Sequence, residues 1–531
     1  MRLIGLRRAC PTAALPLLAL FWTAGALDAQ PAREQPRFGG VLKVATEGEP
    51  PSLDPHWNSS ILTSLPMWHV FETLFTFDGD FNPIPLLAEG HTLADGGRRY
   101  TITLRKGVRF HNGKELTAAD VVASLNRWGA MAVGGRSIWK LVREVDAKGS
   151  HEVVIHLNEP FVDLVFSLAG EQGGAAIYPK EVIDAAGNEP LKQFIGTGPF
   201  RLVEHRPKGY VKLARFKQYT ARNERPNGAG GKRVAYLDEL LFVPLPDSAA
   251  RLAGVESGGY HYGISIRQDQ YDRVLAMPSV EPRRGTPNFL AAVLNHKQGL
   301  MTSLKLRQAF QAALDMEPIM DAAVGHYLFY RLDPGLWPPE LVFQHSRAGA
   351  ALYNQKDKAK ARRLLKEAGY TGQPVRWLTT NDAEHHYRSA RVAKQQLEDV
   401  GFKIDLQVLD FATLGQIAQS GSKPELFDVF SNQPTFGVGN PALSIKVQCL
   451  SQLSGWWCLG EKESLLVELA RETDARKRKA IIDRVQTLFY EDVGQIKFGD
   501  RFGMSVVRKE LRGEFRSTPF TFFWNAWLEK K

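Results

Sequence analysis

Residues 99–128 first alternate and then wind. Tyr100, Ile102 and Leu104 fall at every second position between polar neighbours, which predicts a strand with one buried face. Arg105, Lys106 and Gly107 turn the chain into Val108, Arg109 and Phe110, and Asn112-Gly113 turns it again. Thr117 is placed to cap a helix, with Asp120 three residues on as the return arm of a capping box. Val121, Val122, Leu125 and Trp128 then form one apolar stripe at helical spacing.

The same two periods recur along the chain. Strands are predicted at 41–45 and 151–157, and a strand, helix and strand at 240–243, 248–257 and 263–266 form an α/β unit. An apolar strand over 288–295 leads into a helix over 302–315, with Leu306, Phe310, Ala313 and Leu314 on one side. Two helix–strand repeats follow. Ala361, Leu364, Leu365 and Ala368 end at Gly369 before strand 375–378; Tyr387, Ala390, Ala393, Leu397 and Val400 end at Gly401 before Ile404, Leu406 and Val408. A strand over 426–430, a helix over 474–493 and a strand over 495–498 close the pattern. Alternating helix and strand predicts an α/β fold, with a parallel or mixed sheet covered by helices.

The chain's 531 residues suffice for two or three domains at ~100–200 residues each. A net charge of +10 raises nucleic acid as a partner, but no stretch interleaves Lys and Arg with aromatics as a nucleic-acid reader does. Arg476-Lys477-Arg478-Lys479 lies early in an amphipathic helix and reads as a solvated face. Residues 1–29 read as a signal peptide. Arg2, Arg7 and Arg8 precede an apolar run over 13–26, too short to span a membrane, and cleavage is expected near Ala26 or Ala29. Cys10 precedes that run and cannot serve as a lipoprotein acceptor. After processing, Cys449 and Cys458 remain, a disulfide candidate in an oxidising compartment, with two free buried thiols as the alternative.

No catalytic constellation assembles: there is no HExxH, no Cys-His cluster and no glycine-flanked nucleophilic serine. His151 and His156 fall on opposite faces of one strand, and the adjacent His385 and His386 point ~100° apart on a helix, so neither pair is a good metal site. The expectation is therefore no enzyme, no metal and no cofactor.

The block Leu104-Arg105, Gly107-Val108, Phe110-His111-Asn112-Gly113, Thr117-Ala118, Asp120-Val121, Ser124 and Arg127 resembles, in order, the defining block of a known family. That family is the extracytoplasmic solute-binding proteins, family 5, the oligopeptide-, dipeptide- and nickel-binding periplasmic proteins of ABC transporters. Gly39-Gly40, Ser52-Leu53-Asp54-Pro55, the turn Ile195-Gly196-Thr197-Gly198-Pro199-Phe200, Arg307-Gln308-Ala309 with Asp315, and the helix ends at 364–370 and 396–402 are similar to the same family. The resemblance implies a two-lobed periplasmic-binding-protein-like fold (type II, peptide-binding cluster) with an extra small subdomain and a two-strand hinge near 285–289 and 497–501. Lobe I is then expected at 38–80, 195–285 and 497–531, the subdomain at 81–194, and lobe II at 286–496.

By the same resemblance the chain is a periplasmic receptor that captures a peptide or peptide-like small molecule and docks, as a monomer and without nucleic acid, on ABC permease subunits. A periplasmic sensor or chaperone-type binding protein, and an exported hydrolase, are the competing readings. Asn58, Ser59 and Ser60 follow the Ser52–Pro55 loop that in relatives approaches the ligand. Tyr260, His261 and Tyr262 replace an acidic family motif and read as a ligand wall or as surface aromatics beside a sheet edge. Asn432, Gln433, Thr435, Phe436 and Gly437 occupy the segment where peptide-binding relatives carry an aspartate for the peptide's ammonium. That position falls at about Gly437, and no carboxylate lies between Phe430 and Pro441. Either another acid supplies the anchor or the ligand is not an ordinary peptide. Trp456 and Trp457 precede Cys458 and read as core residues or as stacking groups for a ligand.

Overall fold

Two strands, Val280–Leu294 and Gln495–Arg508, run through the middle of the molecule and pair antiparallel from Val280 opposite Arg508 to Val293 opposite Gln495. The computed structural model describes residues 35–170, 173–419, 426–433, 441–444, 446–449, 452–516 and 520–529. The expected signal peptide at 1–29, and Thr435, Phe436 and Gly437, lie outside the described residues.

The central pair joins two half-sheets into one mixed sheet. On one side follow Tyr262–Ile266, Val41–Thr46, Glu239–Pro244, Tyr210–Arg215 and Phe200–Arg206; on the other, Val429–Asn432, Pro374–Thr380 and Lys403–Leu409. The pairing register of the central strands shifts between Arg284 and Pro287, beside Gly285 and Gly503, where the chain passes from one half to the other. Proline has no N–H for the ladder, so a bulge is where a strand accommodates Pro287. Both strands are longer than their apolar patterns predict. Gly499, Arg501 and Gly503 interrupt the pattern, but Gly499 and Arg501 stay paired with Leu290 and Asn288, and pairing resumes beyond Gly503 at Met504.

The predicted helix over 302–315 is Leu304–Ala313, and a second helix, Met316–Val324, begins directly after Asp315, which caps it with its carboxylate accepting from Glu317 N at 3.2 Å. The repeat helices are Lys358–Glu367 and Glu384–Glu398, and Gly369 and Gly401 follow them with φ of 67° and 111°. One core cluster packs these helices on the sheet and continues past the central pair to Leu252, Val255 and Ile266; a second cluster lies under the other half around Leu42, Phe71 and Trp524.

The subdomain is a separate four-stranded antiparallel sheet of Ala88–Ala94, Arg99–Leu104, Glu152–Leu157 and Val142–Ala147, covered by helix Ala118–Met131. The capping box forms: the Asp120 carboxylate accepts from Thr117 N at 2.9 Å. Burial would raise the Asp120 pKa, but bonds from Lys114, Lys180 N and Thr117 outweigh it and lower the value.

The other residues of the family-like block act as fasteners. Arg127, on the far side of that helix, reaches the buried Asp54 carboxylate with Nη1 at 3.2 Å and Nη2 at 2.7 Å. Tyr178 OH and Leu191 N also donate to Asp54, at 3.2 and 3.1 Å. Asp54 therefore ties the subdomain to the first half-sheet. Glu72 is likewise enclosed, accepting from Thr197, Tyr219 and Arg233. The turn at 195–200 is structural, since a Cβ at Gly198 would meet the His69 carbonyl at 2.5 Å. On its other side the subdomain meets helices Gly460–Arg471 and Ala475–Glu491. Arg478 Nη2 reaches both oxygens of Asp163 at 2.9 and 2.7 Å, Arg471 pairs with Glu159, and Val162 N donates to the Ala470 carbonyl.

Candidate ligand-binding cleft

A cavity of about 500 Å³ lies where the central strands pass between the half-sheets. Gly285, Thr286, Asn288, Arg501 and Gly503 of those strands form its floor. The first half contributes Glu47, the strand and turn from Tyr262 to Asp269, and Ile61 and Leu65 from helix Ile61–Met67. The second half contributes Ala323 and Val324, Gln433, and the first turns of helix Glu384–Glu398 through Asp382, Glu384, His385 and Arg388. Its size falls within the range of small-molecule sites, and its walls mix apolar and charged groups.

An ionic chain crosses the cavity. Arg267 pairs with Asp269 at 2.6 Å on its own side and reaches Glu384 of the other half at 3.4 Å; Glu384 also pairs with Arg388. The Arg267 and Glu384 side chains are each 49% exposed, so this bridge is worth no more than ~1 kcal/mol. Such a bridge can break and re-form as the halves move.

Deeper in, the groups are held differently. His385 lies well below its ordinary pKa because burial, then Arg501 and His386, disfavour its cation. His386 is pushed down to about 4 by burial and by Arg501. Both rings are therefore neutral at pH 7, donors or acceptors rather than charges. Burial pushes Arg501 down to about 10, against the opposing pull of Glu47. Asp382 accepts from Phe411 N at 2.7 Å, and Arg516 donates to the Arg284 carbonyl.

Of the residues singled out in the sequence, Tyr262 and Gln433 line this cavity. Tyr262 is buried, its hydroxyl 3.1 Å from Thr521 Oγ1. Asn432 ends the strand that leads to Gln433. Asn58, Ser59 and Ser60 stand behind the wall rather than in it. Asn58 Oδ1 accepts from Ser60 N, and Ser60 Oγ caps the helix that presents Ile61 and Leu65 by accepting from Leu62 N at 3.2 Å. Tyr260 packs on the core beside Gly254, and His261 Nδ1 accepts from Lys43 N.

The two tryptophans sit in the interior. Trp457 donates to Asp492 Oδ2 at 2.7 Å and meets Phe489 edge-on, and Trp456 stacks on Phe427. Cys449 and Cys458 form a disulfide, with Cα atoms 4.4 Å apart. Among the described residues no group of three or more His, Cys, Asp or Glu could hold a metal ion, and no helix is long and apolar enough to cross a membrane. Sequence reasoning passed over Glu47, Arg267, Arg388 and Arg501. Only Arg501 carried a signal, a charge within an otherwise strand-like stretch.

Two half-sheets on a continuous strand pair, with a mixed polar cavity at their junction, define a hinged protein that encloses a small solute. The family model of the bacterial extracellular solute-binding proteins, family 5 Middle, matches residues 82–441, and the chain belongs to that family. It is accordingly a substrate-binding component of an ABC importer and not an enzyme. A probable peptide ABC transporter periplasmic-binding protein of Sinorhizobium fredii is 25% identical over 472 residues, covering 86% of this chain and 87% of the relative. The glutathione-binding protein GsiB of Escherichia coli K12 is 26% identical over 367 residues, 68% of this chain and 67% of that protein. Among solved structures, the periplasmic binding protein AgaA with agropinic acid, from A. tumefaciens R10, superposes with a TM-score of 0.77 at 21% identity, covering 93% of this chain and 99% of the other. The dipeptide-binding protein of Pseudoalteromonas sp. SM9913 with Met-Leu gives 0.77 at 20% identity, covering 92% and 100%.

Proposed function

We propose that this protein is the periplasmic receptor for a peptide or peptide-like solute, gripped between lobe I (38–80, 195–285, 497–531, with subdomain 81–194) and lobe II (286–496). The observation that carries the reading is the cavity of about 500 Å³ with walls from both sides of the central strand pair. A ligand that touches both lobes favours the closed arrangement by its differential contacts. The closed monomer then docks on the permease subunits, after removal of the leader near Ala26 or Ala29, and nucleic acid has no part in it. Relatives named for peptide and glutathione binding, and structures holding Met-Leu or agropinic acid, support a ligand of this size and polarity.

An ammonium on the solute has two acids to meet. Asp269 and Glu384 are engaged by arginines, whereas Glu47 and Asp382 line the cavity with no ion pair among the described residues. Glu47 and Asp382 thus take the place of the aspartate absent near Gly437.

Native mass spectrometry of protein purified without denaturation tests the proposal, with retained solute in the peptide mass range as the expected result. At 100 times its dissociation constant that solute stabilises the fold by ~2.7 kcal/mol. Protein that retains nothing, and whose melting no peptide or opine alters, refutes the reading.

A further inference from the structure

Three of the four arginines that line the cavity already have partners. Arg267 and Arg388 share Asp269 and Glu384, and Arg516 donates to the Arg284 carbonyl. Arg501 differs. Among the described residues its guanidinium has no hydrogen-bond or ion-pair partner, and its Nε is out of contact with solvent. The root of this side chain is fixed, because Arg501 is paired in the sheet with Asn288 on one side and Tyr330 on the other.

Among the described residues no carboxylate comes within ion-pair distance of it. Successive residues of a strand point to opposite faces, and the adjacent Asp500 is turned to Arg331 and Lys497, each at 2.7 Å. His385 and His386 are uncharged beside it, and Glu47 acts on it only from beyond ion-pair distance. Arg501 is half-buried, and a part-buried guanidinium whose Nε lacks an acceptor gains from an anion that arrives. Solute is what the cavity admits.

We propose that Arg501 is the seat of a carboxylate on the captured solute, so that the cleft selects molecules bearing a free carboxylate at the end that reaches the hinge. This rests on the receptor reading above and adds the chemical class of its ligand. The planar guanidinium fork matches a carboxylate with two parallel bonds. A dianionic phosphate fits less well, because one cation awaits it while Glu47, Asp382 and Glu384 line the same cavity.

The test uses the mature full-length chain and a mixed tripeptide library without acidic side chains, in free-acid and C-terminally amidated forms. Binding is read by thermal shift and native mass spectrometry. The free-acid library is expected to bind the wild type about 10- to 100-fold more tightly than the amidated one, the ratio typical of a charge-assisted bond. Arg501→Met should abolish that preference, and Arg501→Lys should keep part of it. Without solute, Arg501→Met should melt at or above the wild-type temperature, since it removes a half-buried cation with no acceptor among the described residues; a residue with a structural role would melt lower. Equal binding of both libraries to the wild type overturns the proposal but leaves the receptor reading intact, as does an unchanged preference in Arg501→Met. Binding of neither library, with no carboxylate-bearing solute retained from the host, overturns both.

Discussion

Replacing Arg127 by methionine should lower the stability of the fold by about 3–5 kcal/mol. The magnitude follows from the surroundings of Asp54. Its side chain is 0% exposed and that of Arg127 is 3% exposed, and the arginine supplies two bonds at 3.2 and 2.7 Å. His56 N, Tyr178 OH and Leu191 N also donate, at 3.0, 3.2 and 3.1 Å, but all three are neutral. Methionine fills the volume and leaves a buried carboxylate without a counter-charge. It also strands the Glu189 carbonyl that Arg127 bonds at 3.0 Å, about 1 kcal/mol more. Urea unfolding at pH 7.5, followed by tryptophan fluorescence, measures the loss. Adding Asp54→Asn to the variant removes the uncompensated charge and should recover part of it, a non-additivity that a double-mutant cycle reads directly.

The pH dependence of the same pair has a definite sign. Burial would raise the Asp54 pKa, but the bond and charge of Arg127, with the Leu191 N–H, outweigh it and hold it below 3.8. Its contribution is thus fully present above the unfolded value and fades as pH falls through the lower folded one. In Arg127→Met burial prevails, the folded pKa rises above the unfolded value, and protonation favours the fold. The gap between wild type and variant should therefore narrow on acidification. A loss under about 1 kcal/mol, or a gap that widens toward pH 4, would show that Asp54 is not held by Arg127 as described.

Three further outcomes are expected. Burial lowers His56, His69 and His296 to about 3 and His111 and His386 to about 4, so the stability they contribute is present above pH ~6.5 and lost as pH falls toward those values; the urea midpoint should drop between pH 7 and 5, and a flat profile would contradict it. Cys458→Ser opens a loop closed by cysteines 9 positions apart and should lower stability by ~2–3 kcal/mol, with the same loss on reducing the wild type. Arg478→Ala removes a bond to both oxygens of Asp163, whose carboxyl burial already pushes up; a loss of ~1.5–3 kcal/mol with faster amide exchange around 159–168 is expected, and unchanged exchange there would refute it.

What could be read from the sequence was local. The strand at 99–104, its turns and the helix capped by Thr117 depend on neighbours within a few residues, and they stand where the periodicity puts them. The helix over 302–315 likewise stands at Leu304–Ala313, whereas sequence reasoning passed over the short helix Met316–Val324 that Asp315 caps. Partners distant in sequence left no such trace. Asp54 and Arg127 are 73 positions apart, so a loop that resembles a ligand-approaching segment is read without the arginine that claims its carboxylate. Trp457 is likewise committed to Asp492, 35 positions on, which makes it interior rather than a stacking surface. The cavity is the extreme case, because Glu47, Arg267, Glu384 and Arg501 meet only once the two half-sheets are joined.

The appendage formed by the small four-stranded sheet is moored to both halves, and unequally. Toward the first half its tether is the Asp54–Arg127 pair, shut away from water; toward the other it is Asp163–Arg478 and Glu159–Arg471, with Arg471 48% and Glu159 41% exposed. Salt weakens exposed charge pairs far more than enclosed ones. Arg478 and Asp163 are 19% and 15% exposed, so Glu159–Arg471 is the contact that salt should loosen first, and the appendage is expected to hold more firmly to the first half than to the second as ionic strength rises.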